Sequence, residues 1–445
     1  MKTPICDFVQ NYIKSDSARF HMPGHKGISR LGCEALDITE IGGADVLYSP
    51  GGIIAESEEN ASELFGTAHS FYSAEGSSLA IRAMLTLVKY ECGDKKTLIL
   101  AARNAHKAFI YACAALDISV EWLYPDKFSH ICECEITPKA LEKKLFSMKN
   151  APDAVYITSP DYLGRLADVR GLADVCDAHK IPLLVDNAHG AYLNFLENSL
   201  HPIALGAAMC SDSAHKTLPV LTGGAYLHVS KKAPAKFAEN ARKALSLFAS
   251  TSPSYLILQS LDLCNDYISD GYREKLAEFV EKVENIKKRV SELGFCILEG
   301  EPLKLTVDAK KSGYTGTELA EFFEQNGVVC EFADPDYIVF MLTPENSDKD
   351  LDRLISVFGK IEQKEPLAMP DLSYPNAQRS VLSPREAILK KSRNVPLGEA
   401  LGKICAAPSV ACPPAVPIAV SGEVITESHI RLMEYYGLET VEIIE

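Results

Sequence analysis

The chain has 445 residues, of which 47% are apolar and 24% are charged. That composition is typical of a folded globular protein and excludes long disorder, a collagen-like repeat and a fibrous rod. The 45 basic and 60 acidic side chains give a net charge of −15, which disfavours nonspecific binding to nucleic acid or to an anionic membrane surface.

Cysteine usage and the N-terminus indicate the cellular compartment. The 13 cysteines are an odd number and lack the paired spacings of a disulfide framework or a zinc site, so we expect reduced thiols and no metal. Residues 1–14 lack the apolar core of a secretory signal. No apolar run approaches the roughly 20 residues that span a bilayer. These features predict a cytoplasmic protein without membrane contact.

Short apolar runs alternate with helical patterns in the first half of the chain. Three runs that are brief, rich in β-formers and nearly uncharged predict buried strands: residues 97–102, 154–158 and 181–186. A helix over residues 169–179 connects the last two. This order predicts an α/β fold with a mostly parallel sheet covered on both faces, in which ligands bind beyond the carboxyl ends of the strands.

The second half follows a different pattern. Residues 276–293 predict one long amphipathic helix. Next come a strand, a helix, two strands and a helix, predicted at residues 303–307, 319–323, 328–332, 338–342 and 349–361. This order suits a small α+β domain, and three prolines in residues 363–376 indicate a linker. The predicted domains are an N-terminal segment with a large domain (1–245), the small domain (246–365), and the linker with a C-terminal domain (366–445).

The first candidate site segment precedes a helix predicted over residues 79–90. Gly76, Ser77 and Ser78 at a helix N-terminus offer backbone N–H groups, the positive end of the helix dipole and hydroxyl donors, which together suit a phosphate. A plain N-cap role for Ser77 or Ser78 explains the same residues equally simply.

Two further segments place a charged group just past an apolar strand. Asp186 ends one strand, where a buried carboxylate needs a cationic partner such as a protonated ring nitrogen, or else caps the next turn. Lys216 follows an apolar stretch at residues 203–209 and lies among small and polar residues, which favours a depressed pKa and Schiff-base chemistry, although isolated lysines are usually solvated surface residues.

The order of these three segments along the chain is more informative than any one of them alone. A hydroxyl-rich helix start, a strand-end Asp and a strand-end Lys, about 110 and 30 residues apart, are what pyridoxal phosphate needs: a phosphate cradle, a ring-nitrogen partner and a Schiff-base lysine. The sequence contains no GxGxxG, GxxxxGK[ST] or HExxH motif that would favour another cofactor.

The sequence also resembles a known family over residues 18–430. The segments that carry the resemblance are, in chain order, Phe20–Gly27 (FHMPGHKG), Ser49–Gly52 (SPGG), Arg103–Lys107 (RNAHK), Ser213–Leu218 (SAHKTL), Ser383–Ala387 (SPREA), Cys412–Pro417 (CPPAVP) and Gly422–Thr426 (GEVIT). They are similar to motifs of the Orn/Lys/Arg decarboxylases, in the short form without an N-terminal wing domain. The resemblance implies a fold-type-I, transferase-like large domain with a mostly parallel sheet, followed by a small α+β domain and a C-terminal α+β domain.

The resemblance implies roles at the cofactor. Lys216 would bind pyridoxal phosphate as a Schiff base, Asp186 would pair with the pyridine N–H, and His106 would stack on the ring. His189 would lie near the ring and its phenolic oxygen. The residues that would contact the phosphate are Gly76, Ser77, Ser78 and Ser213.

The resemblance also implies how the substrate is handled. His215 would act beside the Schiff base as an acid or base, or contact the substrate carboxylate. Asp45 and Glu423 are candidates for contact with the distal cationic group, and each is equally well explained as a surface or capping carboxylate. The implied reaction converts lysine, arginine or ornithine to the corresponding amine of polyamine biosynthesis and CO₂. The implied assembly is a homodimer or larger homo-oligomer with the site at the subunit interface, and no nucleic acid partner.

The chain departs from the family pattern in several loops. The altered positions are Val46, Tyr48, Asp161, Leu163, Asn187 and Ala415. Asp161 stands where the family has Thr, and Asn187 where it commonly has Glu. None of these belongs to the expected core of Lys216, Asp186 and His106, so the cofactor chemistry is better supported than the substrate. Another pyridoxal-phosphate reaction (an aminotransferase or lyase) and a non-catalytic paralogue stay open as alternatives.

Overall fold

The structure is a computed structural model and describes residues 1–368, 370, 372, 380–409 and 414–445. Cys412 and Pro413, which belong to one of the resembling segments, lie outside the described residues. The chain forms two compact units, the first built from residues 1–93 and 176–275 and the second from residues 94–175 and 276–445. No helix in the described part of the chain is long and apolar enough to cross a membrane.

The helices and strands are numbered along the chain. The helices of the described residues are α1 (Pro4–Lys14), α2 (Ile53–Phe65), α3 (Gly76–Cys92), α4 (Lys107–Leu116), α5 (Pro138–Ser147), α6 (Val169–His179), α7 (Pro202–Leu205), α8 (Ala214–Thr217), α9 (Ala235–Ser246), α10 (Tyr255–Ser269), α11 (Tyr272–Glu292), α12 (Gly316–Gln325), α13 (Asp348–Phe358), α14 (Pro384–Ile388) and α15 (Glu427–Tyr435). The strands are β1 (His69–Ser73), β2 (Leu98–Ala102), β3 (Ser119–Leu123), β4 (Ala154–Thr158), β5 (Leu183–Asp186), β6 (Met209–Asp212), β7 (Ala225–Val229), β8 (Cys296–Ile297), β9 (Lys304–Asp308), β10 (Phe332–Ala333), β11 (Tyr337–Met341), β12 (Ser392–Pro396) and β13 (Thr440–Ile444).

The first unit holds strands β1, β7, β6 and β5, which are hydrogen-bonded in that order. β5 and β6 are parallel, whereas β7 runs antiparallel to both of its neighbours. Every residue of β5, β6 and β7 is buried, as expected for strands covered on both faces. Helix α3 packs on β6 and β7 and buries nine side chains between Leu79 and Val88. This packing holds the N-terminus of α3 at a fixed place beside the strands.

The second unit holds three kinds of sheet. β4, β2 and β3 are parallel neighbours in that order. β10, β11, β9 and β8 form a four-stranded antiparallel sheet, and β12 pairs with β13. One hydrophobic cluster joins the C-terminal elements to the four-stranded sheet, because Val395, Leu432 and Ile443 pack in the same core as Phe332 and Val339. The three-domain division of the sequence stays a prediction.

Most of the predicted elements are confirmed, and two are wrong. The apolar stretch at residues 203–209, predicted as the strand before Lys216, forms α7 and the turn after it, and only Met209 enters β6. The strand predicted at residues 154–158 and the helix at 169–179 match β4 and α6. In contrast, only the last residue of the predicted strand 328–332 enters β10. Gly327 has a φ of +74°, and the Val328 N–H donates to the Phe323 carbonyl, so these residues close the C-terminal turn of α12. The apolar run therefore serves a helix end rather than a sheet.

Candidate active site

The N-terminus of α3 offers an anion site. α3 has 17 residues, and its N-cap residue Glu75 makes no side-chain capping hydrogen bond. Gly76 has a φ of +70°, which a residue with a Cβ adopts only with strain. The Ser77 hydroxyl accepts a hydrogen bond from Ser213 Oγ at 2.9 Å, and Ser78 follows in the same helical turn. An uncapped helix end with adjacent hydroxyls supplies the donors that a phosphate requires.

Lys216 and His189 meet beyond the ends of two parallel strands. α8, which contains Lys216, begins two residues after β6, and His189 lies three residues beyond β5. Because parallel strands end at the same edge of a sheet, the segments that follow them come together. Lys216 Nζ lies 2.9 Å from His189 Nε2, and His189 is 4% exposed. One group must donate and the other accept, so this contact offers a path for a proton between amine and imidazole.

Asp186, the last residue of β5, places a buried carboxylate at the same edge. The residue is 3% exposed. Its Oδ1 accepts hydrogen bonds from the Ala188 N–H at 3.3 Å and from Ser211 Oγ at 3.4 Å, both longer than usual. A buried carboxylate is stabilised most strongly by a positive partner. The position therefore suits the protonated nitrogen of an aromatic ring.

His215 is held in one tautomer next to Lys216. Its Nδ1 lies 2.9 Å from the Gly224 carbonyl oxygen, and since a carbonyl only accepts, Nδ1 carries the proton. Burial lowers the pKa of His215 below its usual value. The ring is therefore neutral near pH 7, with Nε2 able to accept a proton.

A buried network that the sequence analysis missed joins β5 to β6. Asp212 Oδ1 accepts a hydrogen bond from Asn187 Nδ2 at 2.7 Å, while Oδ2 lies 2.9 Å from His201 Nε2 and 3.2 Å from His228 Nε2. Burial acts to raise the pKa of Asp212, but the two imidazoles outweigh it and lower the pKa. The network fixes the residue after Asp186 against the end of β6. No spacing in the sequence connects these four residues.

Asp45 organises its own loop. Its carboxylate accepts hydrogen bonds from the N–H groups of Gly51, Gly52 and Ile54 at 2.9–3.0 Å. Burial acts to raise the pKa of Asp45, but these backbone donors lower it. The carboxylate therefore fixes the entry to α2, and a contact between Asp45 and substrate stays a prediction.

Two predicted site residues belong to the second unit. His106 is the N-cap of α4, where its Nδ1 accepts a hydrogen bond from the Ala108 N–H at 3.1 Å. Glu423 is 2% exposed and lies 3.2 Å from the Arg103 guanidinium. Burial acts to raise the pKa of Glu423, but the charge of Arg103 lowers it. This ion pair explains how the Glu423 carboxylate stays charged although it is buried, and a contact between Glu423 and substrate stays a prediction.

Comparisons with known proteins point to one family. Residues 3–300 match the family model described as Orn/Lys/Arg decarboxylase, major domain. The uncharacterized protein YaaO of Bacillus subtilis (strain 168) is 29% identical over 461 residues, which cover 97% of this chain and 93% of that protein. An arginine decarboxylase of the same organism is 27% identical over 467 residues, which cover 96% of this chain and 92% of that protein.

The fold agrees with that family. The crystal structure of the Francisella novicida lysine decarboxylase LdcF matches with a TM-score of 0.79 at 18% identity, covering 100% of this chain and 81% of that chain. A NifS-like protein and a serine palmitoyltransferase of Sphingomonas wittichii share the fold with TM-scores of 0.56 and 0.57, so the predicted fold class is confirmed. The matched family implies pyridoxal phosphate as the cofactor. Because the family model matches well over half of the chain, this protein belongs to the Orn/Lys/Arg decarboxylases, a family of pyridoxal-phosphate-dependent enzymes.

Proposed function

We propose that this chain decarboxylates arginine, lysine or ornithine, releasing CO₂ and the corresponding amine for polyamine biosynthesis. The observation that carries the proposal is the contact between Lys216 and His189, at the strand edge where Asp186 is buried. A lysine beside an imidazole, near a buried carboxylate, is what pyridoxal-phosphate chemistry requires. One relative is named an arginine decarboxylase and one structural neighbour a lysine decarboxylase, which puts these two substrates first.

The residues of the first unit fit the cofactor. The uncapped N-terminus of α3, with Ser77 and Ser213, supplies donors for the phosphate. Asp186 would face the ring nitrogen, and Lys216 would form the covalent bond to the cofactor. When bound, pyridoxal phosphate accepts the electron pair left at Cα by the departing CO₂. Stacking of His106 on the ring remains an expectation from the family resemblance.

The side chains of this chain then hold and move protons. Asp186 would keep a proton on the ring nitrogen of the bound cofactor, because separating that pair in a buried site costs electrostatic energy. His189 Nε2 accepts a proton from the Lys216 ammonium 2.9 Å away, which leaves the amine nucleophilic. His215, neutral because burial lowers its pKa, has Nε2 available to take up a proton and deliver it at Cα.

Product formation tests this function. Holoenzyme supplied separately with L-arginine, L-lysine and L-ornithine is expected to release amine and CO₂ in equal amounts from one of them. Lys216→Ala should abolish both products, whereas the matched control Lys231→Ala changes an exposed lysine and should not. A keto acid in place of the amine would contradict decarboxylation and indicate transamination. No product from any of the three amino acids would contradict the proposed substrate class.

We further propose a cytoplasmic homodimer, or a larger assembly, with the active site at the subunit interface. None of the 12 cysteines among the described residues forms a disulfide bond, consistent with a reducing compartment. Phe20, Ile28 and Leu31 are 95%, 68% and 88% exposed, and a second copy covering them would remove this apolar surface from water. Sedimentation should give a dimer for the wild type and more monomer for Leu31→Asp. A fully active monomeric wild type would contradict the proposal.

A further inference from the structure

A cavity of about 900 Å³ opens in the second unit, and none of the residues assigned to the cofactor lines it. Its volume is that of a small-molecule site, for which about 300–1,000 Å³ is usual. The lining includes five carboxylates and two cationic side chains, namely Glu133, Glu135, Asp161, Glu299 and Asp336 against Lys127 and Arg165. The surplus of negative charge favours a cationic ligand.

Two of the buried carboxylates already have cationic partners. Glu133 is 5% exposed and forms an ion pair with the Arg165 side chain. Asp336 is 4% exposed and lies 3.0 Å from Lys310 Nζ. These pairs leave Asp161 as the buried lining carboxylate for which the described residues contain no ion-pair partner.

Asp161 is 4% exposed, and only one of its oxygens is used by the protein backbone. Oδ1 accepts hydrogen bonds from the N–H groups of Leu163 at 2.9 Å and Arg165 at 3.0 Å. The Lys304 ammonium lies nearby, but it pairs with Glu301 at 3.5 Å and donates to the Asp161 backbone carbonyl at 3.4 Å. Burial, and then the charge of Glu133, raise the pKa of Asp161 to about 7. The charge of Lys304 acts to lower this pKa, but burial and Glu133 outweigh it, so the carboxylate is not held ionised at neutral pH.

Two neutral acceptors line the same cavity without partners. Asn104 is 3% exposed; its Nδ2 donates to the Cys132 carbonyl at 2.9 Å, but its Oδ1 accepts no hydrogen bond. Thr158 Oγ1 is also buried without a partner, one strand away at the end of β4. Buried acceptors without donors are uncommon in folded proteins. Together with Asp161, they are buried acceptors to which the N–H groups of a bound molecule would donate.

Aromatic rings complete the walls. Phe128, Tyr337 and Tyr436 all line the cavity. The faces of such rings attract ammonium and guanidinium groups, while their edges pack on the alkyl chain between them. Exposed Glu135 and Glu299 also lie in the lining, where they would attract a positive ligand from solvent.

We propose that this cavity binds an organic cation, an alkyl chain ending in an ammonium or guanidinium group, with Asp161, Asn104 and Thr158 as its acceptors. The proposal does not rest on the decarboxylase reaction, because it uses neither Lys216 nor the cofactor. A free amino acid substrate, its amine product and a longer polyamine all present this chemistry. The probes below distinguish them.

Calorimetric titration of the holoenzyme tests the proposal. The probes are L-arginine, agmatine, 1,5-diaminopentane and spermidine, with the uncharged 1,5-pentanediol as the length-matched control. We expect at least one amine to bind, the diol not to bind, and Asp161→Asn to weaken the amine at least tenfold. The variant keeps an oxygen for the Leu163 and Arg165 N–H groups, so the loop is preserved. Glu142→Gln, the same charge change at an exposed position on α5, should bind like the wild type.

Each other outcome decides against the proposal. Unchanged amine binding in Asp161→Asn would assign the ligand to another site, such as the catalytic one. Equal binding of the diol, or no amine binding to the wild type, would exclude a cation site. If Asp161→Asn fails to fold, Thr158→Val gives the same test, because it removes a hydroxyl that has no partner in the fold. Its affinity for the amine should fall several-fold, and an unchanged affinity would overturn the proposal.

Proton release gives a readout that a merely structural Asp161 would not produce. With its pKa at about 7, Asp161 is partly protonated at neutral pH, and an arriving cation should expel that proton. The charged groups facing Asp161 are Glu133, Arg165 and Lys304, of which the last two already have acidic partners. The binding enthalpy at pH 7 should therefore vary with the ionisation enthalpy of the buffer, and should not do so in Asp161→Asn.

Discussion

Asp212 in the first unit and Asp161 in the second are both buried aspartates near the carboxyl end of a strand, yet their pKa values shift in opposite directions. Asp212 faces His201 and His228, and its pKa is lowered despite complete burial. Asp161 faces Glu133, and its pKa is raised to about 7. Burial acts in the same direction on both carboxylates, so the charge of the neighbours decides the result.

The difference separates a structural carboxylate from one available to a ligand. Asp212 satisfies both oxygens within the chain and holds the residue after Asp186 in place. Asp161 leaves one oxygen towards a cavity whose other acceptors also lack donors. A buried group with a perturbed pKa is a stronger candidate for a ligand site when its partners are missing from the fold.

Asp186 is a third buried aspartate, and of the three its substitution should have the largest effect on catalysis. Asp186→Ala removes the proposed partner of the ring nitrogen, so kcat should fall at least about a hundredfold, as expected for a lost electrostatic stabiliser. Cofactor affinity should change much less. Steady-state kinetics at saturating pyridoxal phosphate, with a separate titration of the cofactor, measure the two effects. Equal losses in kcat and in cofactor affinity would contradict the role of Asp186.

Removing the charge of Asp212 should have the largest effect on stability. Asp212→Asn removes the anion that contacts His201 Nε2, and a hydrogen bond to a charged group contributes about 1.5–3 kcal/mol. Burial lowers the pKa of His228, so this second imidazole is neutral near pH 7. Because its folded pKa is lowered, Asp212 contributes stability above its usual pKa, and this contribution is lost as the pH falls through the folded value. Urea denaturation at pH 7 should show the full loss, with a smaller difference near pH 3. Asp177→Asn, an exposed match on α6, should be neutral.

The opposite dependence of stability on pH is expected for Asp161. Its folded pKa is raised to about 7, so its contribution to stability is present below its usual pKa and is lost as the pH rises through 7. Asp161→Asn avoids that loss, and its advantage over the wild type should grow by on the order of 2–3 kcal/mol between pH 5 and pH 8. Denaturation of both proteins at the two pH values tests this. A variant less stable than the wild type at pH 8 would contradict the assignment.

The smallest effect concerns the phosphate cradle. Ser77→Ala removes one hydroxyl next to Ser213, and one hydrogen bond is worth about 1 kcal/mol, or roughly a fivefold loss of cofactor affinity. Ser246→Ala, an exposed serine on α9, is the control. Cofactor titration followed by absorbance measures both. Wild-type affinity in Ser77→Ala would place the phosphate elsewhere.

Strand ends were the part of the site that sequence reasoning could predict. An apolar run locates β5, whereas the run before Lys216 (residues 203–209) mostly forms α7 and the turn after it, with only Met209 in β6. Parallel pairing of β5 and β6 then brings the segments of His189 and Lys216 to one edge. The misread strand at residues 328–332 shows the limit of this reasoning, because short apolar runs at a helix end and in a sheet have the same composition.

The networks could not be predicted in this way. His201, Asp212 and His228 meet through folding, and no periodicity in the sequence connects them. Asp161 was visible as a departure from the family pattern, but its burial and the nearby charge of Glu133 emerge only from the packing around it. Sequence patterns predict elements, whereas the protonation of a buried group depends on neighbours far along the chain.

Covalent trapping of the cofactor tests the central claim most directly. Holoenzyme treated with borohydride and digested should yield one pyridoxyl-modified peptide, and mass spectrometry should place the modification on Lys216. Lys231→Ala should give the same peptide, and Lys216→Ala none. Modification of a different lysine in the wild type, or its persistence in Lys216→Ala, would contradict the assignment of the active site to the edge of β5 and β6.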